Sequence, residues 1–186
     1  MHHVKNAELV EGVVYMPSPV RISAHSEPHA TIVGLLFIYY AATPGTAAGD
    51  NGSLRLDLDN MPQPDAYLRK LESHGGQAKL AEDDYLEGAP EFVFEIAASS
   101  AAIDLHDKLR AYRRNGVREY VVWLTFENEI RFHTLHNGEY LRVAPDELGI
   151  VKSQVFPGLW FDIPALLERN PSRQVATLQA GINSRG

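Results

Sequence analysis

Along the chain the apolar positions change period in an order that lays out the elements. Leu9, Val10, Val13, Val14 and Tyr15 flank Glu11-Gly12, a pair suited to a tight turn, and predict a hairpin over 8–16 ended by Pro17, Ser18 and Pro19. From Pro28 the spacing becomes three and four. Ile32, Val33, Leu35, Leu36, Tyr39 and Tyr40 predict a helix, apolar nearly all round and so well buried, which Thr43-Pro44-Gly45 stops. Leu54, Leu56 and Leu58 then alternate with Arg55 and Asp57 as in a half-buried strand, and a further strand runs from Asp65 to Arg69 with Asp65 at its mouth. The stretch from Glu72 to Pro90, rich in Gly, Asp and Glu, shows no period and reads as an exposed excursion.

The second half is more regular. Phe92-Val93-Phe94-Glu95-Ile96-Ala97 and Glu119 to Leu124 are short β-rich runs expected to be buried. Between them Asp104 is placed to cap a helix from Leu105 to Asn115 that Gly116 closes, with Leu105, Leu109 and Tyr112 on one face and Lys108 beside it. Strand, helix, strand in that order makes a parallel pair with a right-handed crossover. Ile130–Leu135 and Tyr140–Val143 meet at Asn137-Gly138, the strongest hairpin signal in the chain. An apolar closing segment, Phe156 to Phe161, leads to a short helix over 164–169, and the polar residues from 170 to 186 are expected to fray. The pattern predicts one α/β domain over 1–186 with its core at about 8–169, a mixed sheet and a buried crossover helix.

Composition narrows the chemistry. The 186 residues are 45% hydrophobic, enough for one full core, and contain no cysteine, so metal chemistry would fall to carboxylate or imidazole. A formal charge of −7 argues against a broadly basic nucleic-acid surface; Arg110, Arg113, Arg114 and Arg118 form the one dense positive cluster, read first as a solvated helix face. With no apolar run near the ~20 residues of a membrane span and no signal-peptide pattern, the expectation is a cytoplasmic protein without a membrane partner.

Glu95 is the residue that calls for an explanation. It lies mid-strand between apolar neighbours, where an unpaired carboxylate costs ~2–7 kcal/mol, so it has a buried partner, opens on a cleft, or binds a cation. Asp65, at the mouth of another strand, could meet it at one end of the sheet. Two such carboxylates repel, and a hard divalent cation relieves the repulsion. Ser99 and Ser100 read as turn and capping hydroxyls, and His25, His74, His106, His133 and His136 show no spacing that suggests a zinc pair.

Several segments together carry a resemblance: Glu8-Leu9-Val10-Glu11-Gly12, Pro64-Asp65, Gly88 to Ser100, Asp104-Leu105-His106-Asp107-Lys108, Gly116 to Tyr120, and Phe156-Pro157-Gly158-Leu159. From about Glu8 to Arg169 the chain resembles the Uma-type family of restriction-endonuclease-like proteins, a largely uncharacterised family with a PD-(D/E)XK nuclease-like fold. The resemblance implies a mixed sheet flanked by helices with an N-terminal hairpin and helix. It implies Asp65, Glu95 and Lys108 as catalytic residues, with Mg2+ or Mn2+ held by Asp65, Glu95 and the main-chain carbonyl of Ile96. The general nuclease pattern places its lysine where this chain has Ala97, and Lys108 on the following helix takes that place. Glu8 matches an early family glutamate and either completes the metal shell or is a surface acid of the hairpin. His29 either lines the cleft or caps and packs its helix. Two functions stand open: a magnesium-dependent endonuclease acting on DNA, with a homodimer as the expected assembly, or a nuclease-fold module that binds or assembles without catalysis.

Overall fold

In the computed structural model, residues 7–16 and 19–185 are described; Pro17 and Ser18, expected to end the first hairpin, lie outside the described residues. The hairpin itself forms from β1 (Glu8–Val10) and β2 (Val13–Tyr15), turning at Glu11 and Gly12 with φ of 51° and 75°. A wide turn over Ile22–Ser26 leads into α1 (Glu27–Ala41). α1 buries one face, Pro28, Ile32, Leu35, Leu36 and Tyr39, and exposes Phe37, so it is less enclosed than its composition predicts.

β3 (Thr46–Gly49) follows. The alternating leucines yield only β4 (Leu54–Arg55), and Leu58 is 97% exposed because the chain bends back at 57–60, with an antiparallel bridge between Asp57 and Asn60. β5 (Ala66–Lys70) starts one residue after Asp65, as its sequence predicts. The aperiodic excursion is more ordered than expected. A short 3-10 turn at Glu72–His74 precedes β6 (Lys79–Leu80) and β7 (Leu86–Glu87), which form a small three-stranded sheet with β4. Strands of two residues are too short to show a period.

The centre is β8 (Phe92–Ala97) beside β9 (Glu119–Leu124), parallel in register from Phe92↔Glu119 to Ala97↔Leu124 and joined by α2 (Lys108–Arg114). Both strands are fully buried, as sheets covered on two faces require. β10 (Glu129–His136) and β11 (Glu139–Val143) extend the sheet through the Asn137-Gly138 turn, whose φ values of 49° and 81° suit the expected tight hairpin. The six-stranded order is β11-β10-β9-β8-β5-β3, parallel only at β8–β9.

Phe92, Phe94, Ile96 and Trp123 point to one side of the sheet and pack with α1 and Phe161. Val93 and Ala97 point to the other and pack with Tyr112 and Tyr120. β12 (Ile150–Lys152) pairs with β13 (Trp160–Asp162), and α3 (Ile163–Leu167) is capped by Asp162, which accepts from the Ala165 amide at 2.9 Å.

The tail expected to fray instead forms α4 (Pro171–Asn183). Asn170 caps it, and Gln174, Leu178 and Gly181 are buried against the β13 segment, where Gln174 Oε1 accepts from the Asp162 amide at 2.7 Å. One buried leucine and a buried glutamine gave too weak an apolar signal for the residues alone to predict it.

Candidate active site

Asp65, at the mouth of β5, and Glu95, four residues into β8, stand on neighbouring strands, because β5 pairs antiparallel to β8 with Ala66 opposite Phe94. They brace each other through the backbone. The Asp65 amide donates to Glu95 Oε2 at 3.4 Å, and the Ile96 amide donates to Asp65 Oδ2 at 2.7 Å. Both are buried, at 9% and 2% exposure, and both line an open cleft of about 280 Å3 at this end of the sheet.

Lys108 comes back from the first residue of α2 and is itself buried. Its Nζ lies 3.1 Å from Glu95 Oε1, 2.9 Å from Glu8 Oε1 and 3.6 Å from Asp104 Oδ1. Tyr112, one turn further along α2, donates to the same Glu95 oxygen at 2.9 Å. A long side chain at a helix start reaches the end of the preceding strand, because helical side chains lean toward the N-terminus.

Glu8, read from the sequence either as a member of a metal shell or as a surface acid, is half-buried beside Lys108. It belongs to the cluster: Oε1 contacts Lys108 and accepts from the Gln63 amide at 2.7 Å. His29 is not among the residues that line the cleft; it packs behind Asp65, its Nε2 2.8 Å from the Asp65 carbonyl oxygen. Two further members escaped the sequence reading. Asp104, expected as a helix cap, has no capping role. The chain enters α2 through a wide turn over Ile103–Asp107, and Asp104 turns inward to accept from Ser100 Oγ at 2.5 Å and to face Lys108. Its i,i+4 spacing to Lys108 was the available signal. His25, without a zinc-like partner in sequence, sets Nε2 3.0 Å from Asp65 Oδ1, while its Nδ1 is buried with no hydrogen-bond partner.

The electrostatics follow from burial and neighbours. Burial pushes the Glu95 carboxyl well above the usual range; Lys108 opposes this, and the charges of Asp104, Asp65 and Glu8 add to it. Asp104 is raised for the same first reason. Burial would raise Asp65 too, but the His25 hydrogen bond and charge, with the Ile96 amide, bring it below its ordinary value. His25 is raised in turn, chiefly by its hydrogen bond to Asp65. Burial acts to lower Lys108, yet Glu95, Asp104 and Glu8 outweigh it and hold the ammonium charged well above its normal range. Four carboxylates thus share one lysine and one histidine, a surplus of negative charge in a polar cleft.

An oxygen-rich, charge-surplus donor set fits a hard divalent cation. Asp65, Glu95 and the Ile96 carbonyl are the groups that would hold one, with Glu8 next to them. Among the described residues, no three acidic or imidazole side chains already stand in a metal-holding arrangement. The Arg110–Arg114 cluster, by contrast, is spent on surface ion pairs: Arg110 with Asp107, Arg113 with Glu139, and Arg114 with Glu11 and Asp57.

A mixed sheet with helices on both faces, an N-terminal hairpin, and an acidic cluster with a lysine where β5 and β8 meet define a restriction-endonuclease-like α/β protein. The chain belongs to the Uma2 family, whose family model, described as "Putative restriction endonuclease", matches residues 1–164. Its fold is similar to the crystal structure of "a putative nuclease belonging to DUF820" from Anabaena variabilis, with a TM-score of 0.65 and 15% sequence identity over 87% of this chain and 89% of that one. No curated protein matches the chain. Among the described residues no helix is long and apolar enough to cross a membrane.

Proposed function

We propose that the protein is a divalent-metal-dependent endonuclease that hydrolyses phosphodiester bonds in DNA, with Asp65, Glu95 and Lys108 as its catalytic residues and Mg2+ or Mn2+ as its metal. One observation carries this reading: Glu8, Glu95 and Asp104 converge on Lys108, with Asp65 alongside, and the assembly opens on a cleft instead of being sealed in the core. Buried carboxylates in surplus destabilise a fold unless something offsets them, so their retention here points to a ligand of opposite charge.

A bound divalent cation supplies Lewis-acid polarisation of the phosphoryl oxygen and a more acidic water. The chain's own residues have separable parts. Glu95 presents Oε2 toward Asp65 while Lys108 and Tyr112 fix Oε1. Asp65 is oriented by the Ile96 amide and His25. Lys108, held protonated, is an electrostatic anchor and hydrogen-bond donor, not a base.

A second reading, a nuclease-fold module that binds without cutting, draws support from the engagement of Lys108 by three carboxylates and from Ala97 at the general lysine position. Calorimetric titration with Mg2+ and Mn2+, run beside plasmid nicking on wild type and Glu95→Gln, separates the two. Binding and nicking that both disappear in the variant support the nuclease. A wild type that binds no metal at millimolar concentration and leaves plasmid intact overturns it in favour of the module.

A further inference from the structure

Among the described residues, seven of the twelve arginines lie within salt-bridge reach of a carboxylate, as expected of a chain with net charge −7. The other five are Arg21, Arg69, Arg118, Arg169 and Arg185. Three of these stand at the end of the sheet away from the cleft. Arg69 is four residues past Asp65 on β5, Arg118 precedes the first residue of β9, and Arg185 is tied to Thr43 and the Ala42 carbonyl beyond the C-terminus of α1. Arg21 and Arg169 remain, and both are at the cleft end.

Both sit over an aromatic ring, as Arg185 does over Tyr39 at the far end of the sheet and the ion-paired Arg55 does over Tyr85; what sets these two apart is that seat at the cleft end without a carboxylate partner among the described residues. Arg169 places its guanidinium 4.7 Å from the centre of the Trp123 ring, and Arg21 places its own 5.5 Å from that of Phe126. Trp123 is the fifth residue of β9 and Phe126 lies in the turn that follows, one strand over from Glu95, with Trp123 opposite Ile96 in register. Arg21 itself lines the acidic cleft. Arg169 has a left-handed backbone, φ 56°, just past α3. Stacking on an aromatic face restrains a guanidinium while leaving its edge N–H groups free, which suits fork-like recognition of phosphate.

We infer that Arg21 and Arg169 form a phosphate-contacting strip along the C-terminal end of β9, which carries the nucleic-acid backbone away from the acidic cleft. This rests on the nuclease reading and extends it. The acidic residues at the reacting centre cannot attract a polyanion themselves, so backbone contacts have to come from cations outside the cluster. Local placement of two such groups reconciles a net negative protein with a nucleic-acid substrate. Glu27, which lines the hollow between Arg169 and Trp123, acts as the competing anion.

The test is fluorescence anisotropy with dye-labelled duplex and single-stranded oligonucleotides in EDTA, across a salt series. The proteins are wild type, Arg21→Ala/Arg169→Ala, Glu27→Gln, and Arg118→Ala as an exposed arginine away from the cleft. The double variant is expected to bind duplex roughly tenfold more weakly or worse. Its log–log salt slope should fall by about 1.8, at about 0.9 for each lost contact. Arg118→Ala should match wild type and Glu27→Gln should bind more tightly, a gain that misfolding cannot produce. A double variant with wild-type affinity and slope overturns the strip while leaving the nuclease reading intact. A wild type that binds neither oligonucleotide overturns the strip together with the nucleic-acid substrate it rests on.

Discussion

Buried acids stand at both ends of the central sheet, and the ends treat them differently. At the amino-terminal end of β8 and β9, Glu91 and Glu119 are both 0% exposed. Glu91 accepts from the amides of Lys70 at 2.8 Å and Gln77 at 2.9 Å; Glu119 accepts from the Ser153 hydroxyl and from the Gln154 amide at 2.7 Å. These donors are neutral and fixed by backbone or turn, so the two acids work as staples that tie loops to the sheet. At the carboxyl-terminal end, Glu95 and Asp65 are met largely by groups that can titrate or move: Lys108, Tyr112 and His25. Burial alone does not mark a functional acid. The nature of its partners and an open cleft do.

The comparison breaks most readily at Lys108. Lys108→Met should leave Glu8, Glu95 and Asp104 facing one another without a cation and cost about 3–5 kcal/mol in urea unfolding, the usual penalty for removing one partner of a buried charge cluster. A loss under about 1 kcal/mol would mean that the cluster is already neutralised by other means. Next comes Glu91→Gln. One of its two amide donors would then face an NH2 group, for about 1–3 kcal/mol, while metal binding by the folded protein stays as in wild type. A metal affinity that fell with it would erase the distinction between staple and site.

Glu95→Gln should behave in the opposite way. The Glu95 pKa in the fold is raised above its unfolded value, so the ionised carboxylate opposes folding near neutral pH, and an amide mimics the protonated form. Lys108 keeps Glu8 and Asp104. Thermal unfolding at pH 7 should therefore show a stability within about 1 kcal/mol of wild type or higher, in a protein that no longer binds metal. A fall in Tm as large as that of Glu91→Gln would make Glu95 a structural acid.

Sequence revealed the sheet more fully than the site. The runs Phe92–Ala97 and Glu119–Leu124 and the Asn137-Gly138 turn are local signals, and each formed where its pattern placed it. Asp65, Glu95 and Lys108 were legible because a charge among apolar residues, or a matched motif, stands out, and the structure brings all three to one cleft. His25 and Asp104 were not. His25 precedes a helix by two residues and meets an acid 40 positions later, and Asp104 has the sequence context of a helix cap. Contacts made by the tertiary fold leave no period to read. α4 was missed for a related reason, since what it packs against, Trp160 and Gly158, is supplied by a neighbouring segment.

The smallest expected effect is the one specific to titratable partners. His25 has a folded pKa raised above the ordinary 6.5 of a histidine, so its contribution to stability is complete below about that pH and is lost as pH rises through the raised value. Asp65 has a folded pKa lowered from 3.8, so its contribution is complete above that pH and is lost as pH falls through the lowered value. The pair should therefore support the fold most between about pH 3.8 and 6.5 and progressively less on either side. His25→Gln removes the charge while keeping a side chain that can donate to Asp65. Urea unfolding of wild type and variant from pH 3 to 9 should give a difference largest inside that window and shrinking beyond both edges. A difference constant across the whole range would assign His25 a packing role and move Asp65 toward the class of acids to which Glu91 belongs, held by partners whose charge never changes.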